Sequence, residues 1–342
     1  MKQNNKKLIW QIPFLVLLIV GTVLIIMQQH NMPYRTAEGA IFGTYYHITY
    51  QSDKDLQAEI DTALHQVDNS LSPFNPQSII TKMNNNEEVQ ADKLFKDVFR
   101  ISQQVSEATK GAFDITVAPL VNQWGFGFKE GTPPDQHMID SLLQFVGYEK
   151  VSLSADGHIT KKDPRLMLDC SAVAKGYGCD VVASVLSRHD VINYMVEIGG
   201  EIVTKGINEK RLPWRIGVNR PTEDPTQSST ELETILNVTD KAMATSGNYR
   251  NFYYKDGKKY AHTIDPQTGR PVQHSLLSAT VLANQCAIAD AYATAFMVMG
   301  IDRAKKLLEK HPELMVYFIY SDGKDDYQVW FSPSVRDKIV GD

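Results

Sequence analysis

An acid and a hydroxyl stand four residues apart in Ala289-Asp290-Ala291-Tyr292-Ala293-Thr294. On a helix that spacing puts Asp290 and Thr294 on one face. Carboxylate and hydroxyl oxygens are hard donors, suited to Mg²⁺ or Ca²⁺ rather than zinc, and Mg²⁺ commonly takes few protein ligands and fills its remaining positions with water and phosphate. Upstream, His262-Thr263-Ile264-Asp265-Pro266-Gln267-Thr268-Gly269 reads as the end of a strand running into a tight turn, with Pro266 presetting φ and Gly269 allowing the reversal. His262 is the best-placed proton acceptor near the metal pair, because imidazole titrates near neutral pH. The alternative is that Asp265 only makes an Asx turn and His262 only packs.

Three further stretches carry polar or aromatic groups with chemical potential. In Leu166–Asp180 a strand gives way to a helix near Ser171, and a helix N-terminus with Lys175 close by is a ready anion site; the alternative is an ordinary junction with a solvated lysine. In Ser72-Pro73-Phe74-Asn75-Pro76, Phe74 lies between two prolines and is either an aromatic wall for a planar ring or a loop anchor. In Phe42-Gly43-Thr44 the glycine lets a ligand approach the backbone. Gly111 to Gly127 joins Asp114 and Thr116 to a proline-started turn of helix and an aromatic-glycine end.

The elements that must hold these groups alternate without a strict βαβ rhythm. Strands are expected at Ala40–Gln51, 151–153, 159–160, 195–198, 202–203, 214–219, 232–237, 241–245, 276–282, 315–320 and 327–331. Helices are expected at 55–71, 92–110, 135–146, from 171, and at 286–299 and 301–310. A hairpin is expected about Asp256-Gly257 and a polar loop at 221–229. This pattern fits an α+β fold better than a doubly wound sheet.

The chain has 342 residues, 22% charged and 43% hydrophobic, with a net charge of −5. That is ordinary globular composition, and it leaves no basic footprint for nucleic acid. Three cysteines, Cys170, Cys179 and Cys286, give neither a disulfide framework nor a zinc pattern and are expected to be buried thiols. Lys2, Lys6 and Lys7 precede an uncharged run from Leu8 to Met27, long enough for the roughly 20 residues a membrane helix needs. The lysines favour a cytoplasmic N-terminus and an exported body. Residues 1–30 therefore read as a membrane anchor or uncleaved signal, and 31–39 as a polar linker.

Together these phrases resemble the ApbE family of FAD:protein FMN transferases, from Ala40 to Phe331. Phe42-Gly43-Thr44 is similar to the family's Met-Gly-Thr, and Ser72-Pro73-Phe74-Asn75-Pro76-Gln77-Ser78 to its Ser-x-Tyr-x-Pro-x-Ser, with Phe for Tyr. Gly111-Ala112-Phe113-Asp114 through Trp124-Gly125-Phe126-Gly127 matches closely. Asp169-Cys170-Ser171-Ala172-Val173-Ala174-Lys175-Gly176 is similar to Asp-x-Gly-Gly-x-Ala-Lys-Gly, with Ser171 and Ala172 for glycines.

The resemblance implies a T-fold-like, two-lobed α+β domain over 40–342, with mixed or antiparallel sheets and FAD in the cleft, preceded by the one transmembrane helix. It implies Mg²⁺ held by Asp290, Thr294 and the Ala174 carbonyl. FAD would be bound by Gly43, Thr44, Phe74, Asp114, Lys175, Ser246, Gly247, His262, Ile264 and Asp265. The implied reaction moves FMN through its phosphate to a Thr or Ser hydroxyl of a redox protein and releases AMP, with His262 or Asp265 as base and Phe74 or Trp124 as the flavin wall. Implied acceptors are subunits of the Na⁺-pumping quinone reductase or Rnf type. The implied place is the bacterial inner membrane, with the catalytic domain on the periplasmic side. A hydrolase giving FMN and AMP, and a periplasmic flavin-binding protein without turnover, are the alternatives.

Overall fold

The computed structural model describes residues 11–23, 32–128, 132–221, 231–248, 252–255, 258–323 and 327–340. The expected loop 221–229 beyond Pro221 and the Asp256-Gly257 turn lie outside them. Residues 11–23 form helix α1, whose large apolar side chains are exposed. Among the described residues no helix is long and apolar enough to cross a membrane. The two ends of the expected Leu8–Met27 run lie outside the described residues.

Strands β1 (Tyr34–Ile41) and β2 (Thr44–Gln51) form a hairpin. Helices α2 (Gln57–Leu71), α3 (Ile79–Asn84), α4 (Lys93–Thr109), α5 (Ala118–Gln123) and α6 (Gln136–Leu143) follow. Next come the small hairpin β3 (Val151–Leu153) and β4 (Ile159–Lys161), and then α7 (Ser171–Arg188). Strands β5 (Tyr194–Ile198) and β6 (Glu201–Lys205) lead to a hairpin of β7 (Arg215–Asn219) and β8 (Leu232–Asn237). After β9 (Ala242–Gly247) stand two hairpins, β10 (Phe252–Lys255) with β11 (Lys258–Ala261) and β12 (Ile264–Asp265) with β13 (Arg270–Pro271). Then β14 (Leu276–Ala283), α8 (Cys286–Leu308), β15 (Met315–Ser321) and β16 (Tyr327–Phe331) complete the order.

One eight-stranded sheet in the order β1-β2-β5-β6-β9-β14-β15-β16 carries the fold, and every neighbouring pair is antiparallel. The strands lie in the sheet in the order in which the chain makes them. Helices and small hairpins are inserted after β2, β6, β9 and β14, and a single sheet runs through the domain for which two lobes are expected. The strand expected at 40–51 is two strands that turn at Phe42 and Gly43, where φ is 53° and 72°. Part of the expected linker 31–39 is β1, an edge strand whose Ala37 and Ile41 point inward while Arg35, Thr36 and Glu38 stay partly or wholly exposed.

The period-2 alternation of the central strands separates two cores. Ala244, Val281 and Phe318 face α4, α7 and α8, whereas Met243, Leu282, Tyr317 and Ile319 face Trp214, Val218 and Leu236 on the other side. A third cluster packs Ile48, Tyr50, Val196 and Ile198 against Ile60 and Leu64 of α2 and Cys179, Val182 and Leu186 of α7. Since α7 also sends Val173 and Tyr177 into the first cluster, it is apolar on more than one side, as a helix between two cores must be.

Helix α4 shows how local sequence sets an element. Asp92 caps it, accepting from the Phe95 N–H at 2.8 Å, and Phe95, Val98, Phe99, Ser102 and Val105 form its buried face. The chain leaves it through Lys110 and Gly111, both at positive φ. The two helices expected at 286–299 and 301–310 are the two parts of α8, which meet at a kink where Gly300 is non-helical at φ 71°, and the second part ends at Leu308. All three cysteines are buried and unbridged, as expected.

Candidate active site

The segments before α7 and around α5 form one wall of a cleft. Asn84 pins Leu168 with two hydrogen bonds, Nδ2 to the Leu168 carbonyl at 2.8 Å and the Leu168 N–H to Oδ1 at 2.7 Å. The next N–H, of Asp169, donates to the Ile115 carbonyl at 2.7 Å. Asp114 braces the same wall. Its Oδ1 accepts from Thr116 N–H at 2.8 Å and Thr116 Oγ1 at 2.7 Å, and its Oδ2 from Tyr148 N–H at 2.7 Å. Burial raises the Asp114 pKa to about 6 against those three hydrogen bonds.

Helices α7 and α8 form the floor, in unusually close contact. A Cβ on Gly176 would lie 2.5 Å from the Cys286 carbonyl oxygen, so only glycine allows this approach. The Gly176 N–H donates to Asp290 Oδ2 at 3.0 Å. In return Asp180 of α7 accepts from the first N–H groups of α8, Cys286 at 2.8 Å and Ala287 at 2.9 Å. It supplies the cap that α8 lacks from its own Gln285. On the other side of α7, a Cβ on Gly178 would lie 2.8 Å from the Phe42 ring, which is held there by the left-handed turn at Phe42 and Gly43.

The resulting cleft has a volume of about 500 Å³. Of the expected site residues it gathers Phe74, Asp114, Ala174, Lys175, Ser246, Gly247, His262, Ile264, Asp290 and Thr294 in its lining. Gly43 and Thr44 are just outside: Phe42 takes the lining position, and Thr44 packs against the lining residue Gly199. Asp265 is not in the lining. Its Oδ1 accepts from the Gln267 N–H at 2.8 Å, which is the Asx-turn alternative. Trp124 is also displaced. Its indole N–H donates to the Gly269 carbonyl at 2.8 Å and its ring is buried in a small cluster with Leu120 and Ile139, so Phe126 lines the cleft instead.

Asp290 and Thr294 face the cleft together, as the spacing predicts. Thr294 Oγ1 is 3.2 Å from Ser246 Oγ, which joins the end of β9 to α8. Burial raises the Asp290 pKa, while Lys175 and the Gly176 N–H work the other way. Lys175 Nζ donates to Glu201 Oε1 at 2.5 Å. Burial would lower the Lys175 pKa, but the Asp290 and Glu201 carboxylates outweigh it and keep the amine charged. At the start of α7, Asp169 Oδ1 accepts the Ser171 N–H at 2.8 Å, so a side-chain carboxylate already occupies part of the expected anion position. Phe74 is 69% exposed at the mouth and meets Phe128 edge-on at 6.1 Å; the His262 ring stands edge-on to Phe126 at 6.5 Å.

Among the described residues no group of three or more His, Cys, Asp or Glu is placed to hold a metal alone. One carboxylate, one hydroxyl and a backbone carbonyl fit a hard cation that keeps open positions for water or phosphate. Glu201, Asp169 and Phe126 were not expected as lining residues. Glu201 starts β6 directly after Gly199-Gly200, a position that reads as an exposed hairpin corner, yet it is 4% exposed.

The sequence profile of the ApbE family matches residues 42–318. A FAD:protein FMN transferase of Escherichia coli K12 is 32% identical over 327 residues, covering 92% of this chain and 91% of that one. A FAD:protein FMN transferase of Vibrio cholerae is 38% identical over 311 residues, covering 87% and 90%. Among solved structures, the flavin transferase ApbE from Vibrio cholerae superposes with a TM-score of 0.80 at 35% identity, covering 90% of this chain and 99% of that one. The fold is that of a transferase enzyme. The chain belongs to the ApbE family.

Proposed function

We propose that this protein transfers the FMN part of FAD to a Thr or Ser hydroxyl of a partner protein, forming a phosphoester and releasing AMP. The observation that carries the reading is the convergence of Asp290, Thr294, Lys175, His262 and Phe74 on one cleft. The names of the aligned relatives support FAD as substrate and a protein as acceptor.

The acceptor oxygen attacks the FMN phosphorus, the new O–P bond forms, and the P–O bond to AMP breaks. His262 takes the hydroxyl proton. It stands in the cleft with its ring T-shaped to that of Phe126, and imidazole has the right affinity for a proton near neutral pH. Lys175 faces the phosphates as a point charge. Phe74, exposed at the mouth, offers its face to the flavin ring. Asp290, Thr294 and the Ala174 carbonyl would hold Mg²⁺, which supplies neutralisation of phosphoryl charge. Ser246 orients the Thr294 hydroxyl through their 3.2 Å contact.

The same reading places α1 within an inner-membrane anchor and the cleft on the periplasmic side, facing acceptors of the Na⁺-pumping quinone reductase or Rnf type. It is supported by Lys2, Lys6 and Lys7 ahead of the apolar run. Protease added to intact spheroplasts should digest the catalytic domain; protection would contradict the topology.

The reaction is tested with the soluble part, FAD, Mg²⁺ and a candidate acceptor domain, followed by denaturing electrophoresis. Flavin fluorescence on the acceptor band that disappears with chelator supports transfer. Release of FMN and AMP without a fluorescent band would make the protein a hydrolase. Bound FAD with neither product would make it a flavin-binding protein.

A further inference from the structure

Glu201 carries an unexplained cost. Its Oε1 accepts from Lys175, but its Oε2 is buried with no hydrogen-bond partner among the described residues. A buried carboxylate oxygen without a donor is expensive, and an apolar pair of similar size would serve packing as well. Such a group needs a reason.

The reason lies in where Lys175 would otherwise go. Lys175, Glu201 and Asp290 all line the cleft. Asp290 is near enough for its field to act on the Lys175 amine, yet the ion pair that forms is to Glu201. Among the described residues the Asp290 carboxylate accepts one hydrogen bond, from the Gly176 N–H. Lysine is a flexible four-carbon chain that follows the strongest acceptor within reach. Glu201, by contrast, is fixed: it opens β6, and its backbone carbonyl accepts from Cys179 Sγ of α7 at 3.2 Å.

We infer that Glu201 is a positioning residue: it anchors the Lys175 ammonium and so keeps the Asp290 carboxylate free for a divalent cation. This rests on the reading of Asp290 and Thr294 as cation ligands. Without the Glu201 charge, Lys175 turns to Asp290 and competes with the cation for the same oxygens.

The test titrates Mn²⁺ into FAD-free protein and reads free Mn²⁺ by electron paramagnetic resonance. Glu201→Gln, which keeps the side-chain volume, should weaken Mn²⁺ binding about tenfold or more, the effect of one adjacent unshielded charge. Adding Lys175→Met should restore affinity to within about threefold of the parent, since nothing then competes for Asp290. A crystal structure of the Glu201→Gln protein should show Nζ on Asp290. Nζ remaining on residue 201 would overturn the inference whatever the affinity, as would unchanged Mn²⁺ binding in Glu201→Gln. Asp290→Ala separates the two levels. If it binds Mn²⁺ as the parent does, the cation site itself fails and this inference with it. If it loses Mn²⁺ while Glu201→Gln does not, the inference alone fails.

Discussion

The backbone N–H of Gly176 in α7 donates to Oδ2 of Asp290 in α8 at 3.0 Å, at a point where α7 has no side chain. One contact therefore both closes the helix pair and orients the carboxylate at the floor of the cleft. Gly176→Ala would improve helix propensity by up to about 1 kcal/mol. Its methyl group would meet the Cys286 carbonyl at 2.5 Å and the Asp290 Cβ at 2.9 Å, neither of which can step aside cheaply. The variant should be destabilised by about 1–3 kcal/mol in denaturant unfolding, and its transfer activity should fall because Asp290 moves. Equal or greater stability would show that the helices have room to spare.

Asp180 secures the same helix pair from the other direction by capping two N–H groups of α8. Asp180→Ala leaves both without an acceptor and should cost about 3 kcal/mol. Asp180→Asn keeps one acceptor and should cost about half as much. Urea unfolding of the three proteins at one pH checks this order; no difference between Ala and Asn would mean that water replaces the cap.

Asp114 gives a pH signature. Its folded pKa is raised from 3.8 to about 6 by burial. The folded state therefore binds more protons than the unfolded state between those values, and this group's contribution to stability falls as pH rises from about 4 to about 6. The fall is about 3 kcal/mol at most. Asp114→Asn lacks this slope and also loses the acceptor for Tyr148 N–H. Its deficit relative to the parent should be largest near pH 4 and should shrink toward pH 7. A deficit that stays constant across that range would contradict the raised pKa.

Phe74 projects from the cleft mouth and supports little of the core. Phe74→Ala should leave stability within about 0.5 kcal/mol of the parent, while FAD affinity falls about tenfold through loss of the stacking surface. Equilibrium titration with FAD and thermal unfolding separate the two effects. Unchanged FAD affinity would make Phe74 a loop anchor.

What the sequence reveals of this molecule follows the periodicity of its elements. Asp290 and Thr294 were legible as a pair because an α-helix fixes i and i+4 on one face, and both line the cleft. The strands of the sheet were legible where short, nearly continuous apolar and β-branched runs occur, as in β14 and β15, which are buried along most of their length. β1 was not, because an edge strand needs few buried residues, and its Arg35, Thr36 and Glu38 read as linker. Trp124 and Phe126 stand two residues apart around a turn, and only the indole N–H's need for the Gly269 carbonyl decides which ring turns inward. Glu201 was illegible because burial of a carboxylate after Gly199-Gly200 depends on Lys175, a partner 26 residues away in sequence.

The most direct test follows intact mass and nucleotide release together. Protein, FAD and Mg²⁺ are incubated with a candidate acceptor, and the acceptor mass and free AMP are measured over time, with His262→Ala and Asp290→Ala in parallel. The expected result is one FMN added to a Ser or Thr of the acceptor for each AMP released, and loss of both signals in the two variants. AMP release without a gain in acceptor mass, or full transfer by Asp290→Ala, would contradict the reading of this cleft as a cation-assisted FMN transfer site.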